Sequence, residues 1–249
     1  MPFLDHLEEL RWRLLKAVIA IAAGVVIGYI TLNAFDVIGF LKRPINPYLQ
    51  AGEKLMFTSP IEPFMITLKL SFVFGVIVAS PVLIWQAWRF LRPALYDTER
   101  RVVVPAALIG ILLFLAGAAS AFYLVLPMAL KVMMGFQTES LQAFITAREY
   151  FSLATAIVLA FGAVFELPLL LVLLVYLRIV SAAFLRKQRR NFVILNVILS
   201  SIVTPGDIVV MTAVVMIPIQ LFYEMSILLA SIIERRRAAT EEQPAEAIA

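Results

Sequence analysis

Glu166 is the only charged residue between Phe151 and Leu177. That stretch is long enough to cross a bilayer, since about 20 apolar residues rising about 1.5 Å each span the hydrocarbon. A carboxylate there costs at least a few kcal/mol on insertion scales (about 2.5–3.5 kcal/mol for an aspartate at mid-helix) and marks a function or a partner. Three roles fit it: a protonated side chain hydrogen-bonded to a neighbouring helix, a proton-relay group, or a docking point for a polar residue of a partner helix. Pro168 follows two residues later, removes a backbone donor and should kink the helix.

Two other carboxylates stand among arginines at the ends of apolar runs. Glu9 lies in Asp5-His6-Leu7-Glu8-Glu9-Leu10-Arg11-Trp12-Arg13, before the first run. The segment reads as an amphipathic interfacial helix with an i,i+4 pair from Glu9 to Arg13. Glu99 lies in Arg92-Pro93-Ala94-Leu95-Tyr96-Asp97-Thr98-Glu99-Arg100-Arg101, between the second and third runs. Here Asp97 or Thr98 can cap the next helix, with Glu99 in its first turn. Read functionally, Glu9 and Glu99 share one surface suited to a basic peptide, because carboxylates bind guanidinium groups through paired, charge-assisted hydrogen bonds. The nearby arginines neutralise such a surface when it is idle. Lys69, Glu62 and Asp207 read as structural: a snorkelling lysine, an interfacial acid between Pro60 and Pro63, and a turn aspartate able to cap the last run.

These residues sit in a chain of 249 residues, 62% hydrophobic and 15% charged. That composition belongs to an all-α integral membrane protein, since the runs are too long for strands of a membrane barrel. There is no cysteine and a single histidine, His6. Disulfides, Cys-ligated metals, and Ser-His or His-metal chemistry within the membrane are therefore excluded, and no cofactor is expected. The acidic N-terminus does not read as a cleavable signal.

Six spans are predicted, at about 14–35, 63–90, 102–127, 149–177, 192–204 and 208–223. The last two are short and joined by a tight turn at Thr204-Pro205-Gly206-Asp207. Fifteen of the 21 basic residues flank one set of span ends: Arg11, Arg13 and Lys16; Arg89, Arg92, Arg100 and Arg101; Arg178, Arg186, Lys187, Arg189 and Arg190; and Arg235, Arg236 and Arg237. The positive-inside rule then puts both termini in the cytoplasm. The net charge of +4 reflects this loop bias and gives no reason to expect nucleic-acid binding. Loops 36–62 and 128–148 should cap the outer face. The first has room for a short helix between its prolines, the second for an interfacial helix. Residues 1–237 read as one domain, and 238–249 as a polar, disordered cytoplasmic tail.

Taken with Pro60-Ile61-Glu62-Pro63-Phe64 and Phe165-Glu166-Leu167-Pro168, these segments resemble TatC, the multispanning receptor of the twin-arginine protein translocase. The resemblance runs from His6 to about Glu224. It implies binding of twin-arginine signal peptides of folded cargo at the cytoplasmic face of the bacterial inner membrane. It also implies assembly with TatA- and TatB-like single-span partners, self-association, and transport driven by the proton-motive force. Glu99 matches the family's main carboxylate for the peptide and Glu9 the N-terminal one; Phe90 matches an aromatic there, and Arg11 and Arg13 match supporting positions. Glu166 matches a partner-docking carboxylate, Pro81 a helix-bending proline and Asp207 the outer-turn aspartate. Gly206 and Met211 replace a proline and a glutamine of the family pattern, which bears on partner contacts through that glutamine and leaves the peptide site untouched. The rival reading is a proton-coupled small-molecule transporter using Glu166. An intramembrane enzyme is disfavoured by the residues available.

Overall fold

The computed structural model describes residues 3–49, 54–91, 103–135, 144–203 and 209–246. Those residues are helical nearly throughout, and the only β-pairing among them is one isolated bridge between Met56 and Thr146. The chain divides into two compact units, Met1–Gly162 and Ala163–Ala249, each with its own packing.

The first unit holds α1 (Phe3–Ala34), α2 (Val37–Leu41), α3 (Glu62–Leu91), α4 (Val103–Ser120), α5 (Leu126–Met134) and α6 (Ala147–Val164, its last two residues beyond the unit). Side chains on α1 such as Val18, Ile19, Val26 and Ile30 are exposed, as a helix solvated by lipid tails requires. What α1 does bury, it buries mainly against α3. Gly24 and Gly28 lie four apart on α1, and Ser71 and Gly75 four apart on α3. A methyl group added at Gly75 would lie 2.5 Å from the backbone nitrogen of Val25, and one at Gly28 would lie 2.7 Å from the Ser71 carbonyl oxygen. The two backbones thus meet directly. Such close approach drives helix pairing in lipid, where burying apolar side chains gains little.

At the end of this unit where α3 and α6 begin, one carboxylate organises the loops. Glu62 is buried, and its Oε2 accepts from the backbone N–H and hydroxyl of Thr58, at 2.7 and 3.1 Å, and from the backbone N–H of Ser59. Its Oε1 accepts from the backbone N–H of Arg148 in the first turn of α6, where a helix favours an anion. The Ala147 N–H donates to the Met56 carbonyl at 2.7 Å, and the Tyr150 hydroxyl to the Leu41 carbonyl at 2.5 Å. Two short helices lie in this region: α2, before Pro44, where Asp36 caps it by accepting from the Gly39 N–H, and a 3-10 turn at Asn46–Tyr48, between Pro44 and Pro60.

The third long helix also runs past its expected end at Pro127. A π-helical turn at Ala121–Val125 leads into α5, which reaches Met134. Pro127 is the second residue of α5, directly after the π-helical turn.

The second unit holds α7 (Leu167–Tyr176), α8 (Ala182–Lys187), α9 (Arg189–Val203) and α10 (Val209–Glu246). The expected kink near Pro168 is a break, with Phe165 and Glu166 outside both α6 and α7. The last helix is not short: α10 is 38 residues long and passes Glu224 without interruption. Glu224 does not end it because Arg189 pairs with that carboxylate at 2.6 Å, and apolar sequence resumes beyond. Phe192 stacks on Tyr223 at 3.8 Å, and the Tyr223 hydroxyl donates to the Leu185 carbonyl, so α8 and α9 are fixed to the middle of α10. Glu234 accepts from the Ala182 N–H at the start of α8. The backbone stays helical to Glu246, over residues read from sequence as a polar tail from 238 onward, through helix-forming Ala, Glu and Gln.

Among the described residues, five helical stretches are long and apolar enough to cross a membrane: Leu7–Ala34, Glu62–Phe90, Val104–Met134, Ala147–Tyr176 and Thr212–Arg236. The 15-residue α9 reaches only about 22 Å, short of a hydrocarbon core of about 30 Å.

Replacing Gly75 by Leu should force α1 and α3 apart at a cost of about 1–3 kcal/mol. A Gly75→Leu protein that matched the parent in detergent unfolding would show that the backbone contact does not hold the pair together.

Candidate functional site

The glycine contact fixes which residues meet at the other end of the α1–α3 pair. The helices run antiparallel, and the same number of residues separates Gly24 from Arg13 as separates Gly75 from Gln86. Both positions therefore lie about 16 Å from the crossing. Arg13 and Gln86 do meet, with the Arg13 Nη1 donating to the Gln86 Oε1 at 3.4 Å. One turn further along, the same register sets position 9 opposite position 90.

Glu9 and Arg13 form the i,i+4 pair expected from sequence. The Arg13 Nε donates to the Glu9 Oε1 at 3.0 Å and Nη2 donates to the same oxygen. Only 15% of the Arg13 side chain and 24% of the Glu9 side chain are exposed, so this pair is more than a solvated surface contact. Phe90 is half-buried at the end of α3. Arg11 is exposed, two residues from Glu9 and hence on another face of α1. The structure thus brings Glu9 and Arg13 together with Gln86, and register adds Phe90. Glu99, Asp207 and the Thr204-Pro205-Gly206-Asp207 turn lie outside the described residues.

Gln86 is absent from the sequence reading. The signal that could have found it is the glycine spacing: once Gly24 is paired with Gly75, the partner of Arg13 follows by counting.

Pro81 lies inside α3 without breaking it. Its missing N–H leaves the Ile77 carbonyl without the usual helical donor. The buried Ser80 hydroxyl donates to that carbonyl at 2.8 Å. This is how a proline is accommodated in a membrane helix, and it keeps Gln86 and Phe90 on one continuous element.

In the second unit, Glu166 lies at the break before α7. Its N–H donates to the Ala163 carbonyl at 3.1 Å and its carbonyl accepts from Leu170 at 2.9 Å. The side-chain Oε1 is buried and has no hydrogen-bond partner among the described residues. A buried unpaired carboxyl oxygen costs about 1–3 kcal/mol, so the position is poised for a donor. Between α9 and α10, Asn196 donates to the Met216 carbonyl at 2.9 Å and accepts from the buried Ser200 hydroxyl at 3.2 Å, a polar clamp within the hairpin.

Comparison with known proteins decides the family. Residues 5–218 match the family described as Sec-independent protein translocase protein (TatC). The chain belongs to the TatC family. It is 36% identical over 247 residues to the TatC of Desulforapulum autotrophicum, covering 98% of this chain and 90% of that one. It is 38% identical over 241 residues to the TatC of Aquifex aeolicus, covering 95% and 98%. It is 33% identical over 226 residues to the TatC of Escherichia coli K12, covering 91% and 86%. A crystal structure of a TatC described as a twin-arginine translocase receptor superposes with a TM-score of 0.82 at 36% identity, covering 90% of this chain and 99% of that one. This TatC-family chain is accordingly a multi-pass membrane protein and a component of a Sec-independent protein translocase, a transport protein.

Removing the Ser80 hydroxyl should cost about 1 kcal/mol by leaving the Ile77 carbonyl unpaired. Most of that loss should vanish in a Pro81→Ala background, where the backbone N–H returns. Equal losses in both backgrounds, read by thermal unfolding in detergent, would disprove the pairing.

Proposed function

We propose that this TatC-family chain is the receptor of a twin-arginine export system. It binds the paired arginines of a folded cargo's signal peptide at the cytoplasmic face of the bacterial inner membrane. The observation that carries the reading is the half-buried Glu9, already engaged by a guanidinium and set opposite Phe90 by the α1–α3 register. Glu99 is the second and stronger carboxylate, and Arg11 and Arg13 belong to the same surface. Two carboxylates offer two forks for two arginines, and a lysine cannot reproduce the paired hydrogen bonds.

The topology that goes with this function has six spans, with α9 as the short fifth and both termini in the cytoplasm. Residues 1–237 act as one transmembrane domain, 238–249 are a cytoplasmic tail, and Asp207 belongs to the outer turn. Glu166 receives a polar group of a TatA- or TatB-like single-span partner, which satisfies its buried oxygen. Copies associate within a larger complex, and the proton-motive force drives transport.

Photocross-linking of a twin-arginine signal peptide in membranes, with probes near Phe90 and Glu99, tests the receptor. The crosslink should disappear when the arginines become lysines. It should be lost in Glu99→Ala and weakened in Glu99→Asp. A crosslink unchanged in Glu99→Ala would rule out the assigned site, and no crosslink at all in membranes holding the partner proteins would favour a proton-coupled small-molecule transporter using Glu166.

For Glu166, hydrogen bonding to a partner predicts that Glu166→Gln transports cargo while Glu166→Leu does not. Loss of transport in both would point to proton release instead.

A further inference from the structure

The site on α1 is not an empty carboxylate waiting for an arginine. Arg13 already presents two donors, Nε and Nη2, to the Glu9 Oε1, so an incoming guanidinium that takes this oxygen displaces one already in place. Gln86 is positioned to make that exchange possible. Its Oε1 accepts from the third nitrogen of the same guanidinium, Nη1, at 3.4 Å. When Nε and Nη2 are released, Arg13 therefore keeps a polar partner on α3, at a largely buried position where an unpaired charge is costly.

We infer that Arg13 is an intramolecular competitor that sets the arginine specificity of the peptide site, with Gln86 as its holding point on α3. This rests on the receptor reading above. An empty carboxylate would accept any cation, a lysine ammonium included. A carboxylate occupied by a planar, multi-donor guanidinium yields only to a ligand that offers the same fork. The ammonium of lysine is a point charge, and exchanging Arg13 for it loses hydrogen bonds. Discrimination thus arises partly from what must be removed. Arg13 is a positioning residue in this scheme, acting on the ligand through Glu9.

The test is binding of two labelled synthetic signal peptides, one with twin arginines and one with twin lysines, to the full chain in nanodiscs, read by fluorescence anisotropy. In Arg13→Gln both peptides should bind more tightly. The twin-arginine peptide should gain about two- to fivefold, the range expected for losing one partly buried ion-pair competitor. The twin-lysine peptide should gain more, so that the affinity ratio between the two falls. Arg13→Lys, which keeps the charge without the fork, should lie between. Gln86→Ala should weaken twin-arginine binding in the parent and have little effect in Arg13→Gln, a non-additivity that a purely structural glutamine would not show. Weaker binding of both peptides to Arg13→Gln at an unchanged ratio would overturn the inference. Failure of the parent chain to bind the twin-arginine peptide would instead overturn the receptor reading beneath it.

Discussion

The first unit depends on one contact, the meeting of the α1 and α3 backbones at Gly24, Gly28, Ser71 and Gly75. In lipid the tails are as apolar as the side chains, so association is driven by close van der Waals approach of small residues. That contact leaves most of the remaining α1 surface to lipid and at the same time fixes an antiparallel register. The register brings Arg13 to Gln86 and sets position 9 opposite position 90. A packing constraint deep in the membrane thus positions chemistry about 16 Å away.

Backbone accounting explains how the long helices carry prolines. The carbonyl freed by Pro81 is taken by the Ser80 hydroxyl, and α3 continues. Pro127 follows a π-helical turn, and the helix runs on to Met134. At Pro168 the helix ends and restarts, and Glu166 lies at the break. The outcomes differ from proline to proline: α3 continues through Pro81 with the Ser80 hydroxyl on the freed carbonyl, α10 continues through Pro218, and at Pro168 the helix breaks.

Much of this was legible in the sequence. Span two was placed to within a residue or so, because Glu62 and Arg89 bracket an apolar run. The i,i+4 pair at Glu9 and Arg13 follows from spacing alone. The misplaced ends have a common cause, in that hydropathy treats each charge or proline as if it stood alone. Glu224 ends an apolar run but not a helix, because Arg189, far away in sequence, pairs with it. Pro127 resembles a stop but opens the next helical segment. Gln86 was missed for the same reason, since its importance comes from a partner on another helix. The two small-residue spacings that would have revealed it, Gly24 with Gly28 and Ser71 with Gly75, were present all along.

The three carboxylates Glu9, Glu62 and Glu166 show why residue type alone does not assign a role. Glu62 is held by four donors, three of them backbone N–H groups that cannot rotate away, so its charge is committed to fixing the loop and the start of α6. Glu166 has a buried oxygen with no donor among the described residues, an arrangement that a partner can relieve. Glu9 falls between these extremes: the Arg13 donors to its Oε1 belong to a flexible side chain that has a second acceptor within reach. A carboxylate locked by backbone is structural, and one with a buried, unpaired oxygen is open to a donor from a partner. Only one occupied by a mobile guanidinium can both stay soluble at the interface when idle and exchange that partner for another of the same shape. Among these three carboxylates Glu9 alone has that arrangement, the one that exchange of one arginine for another would require.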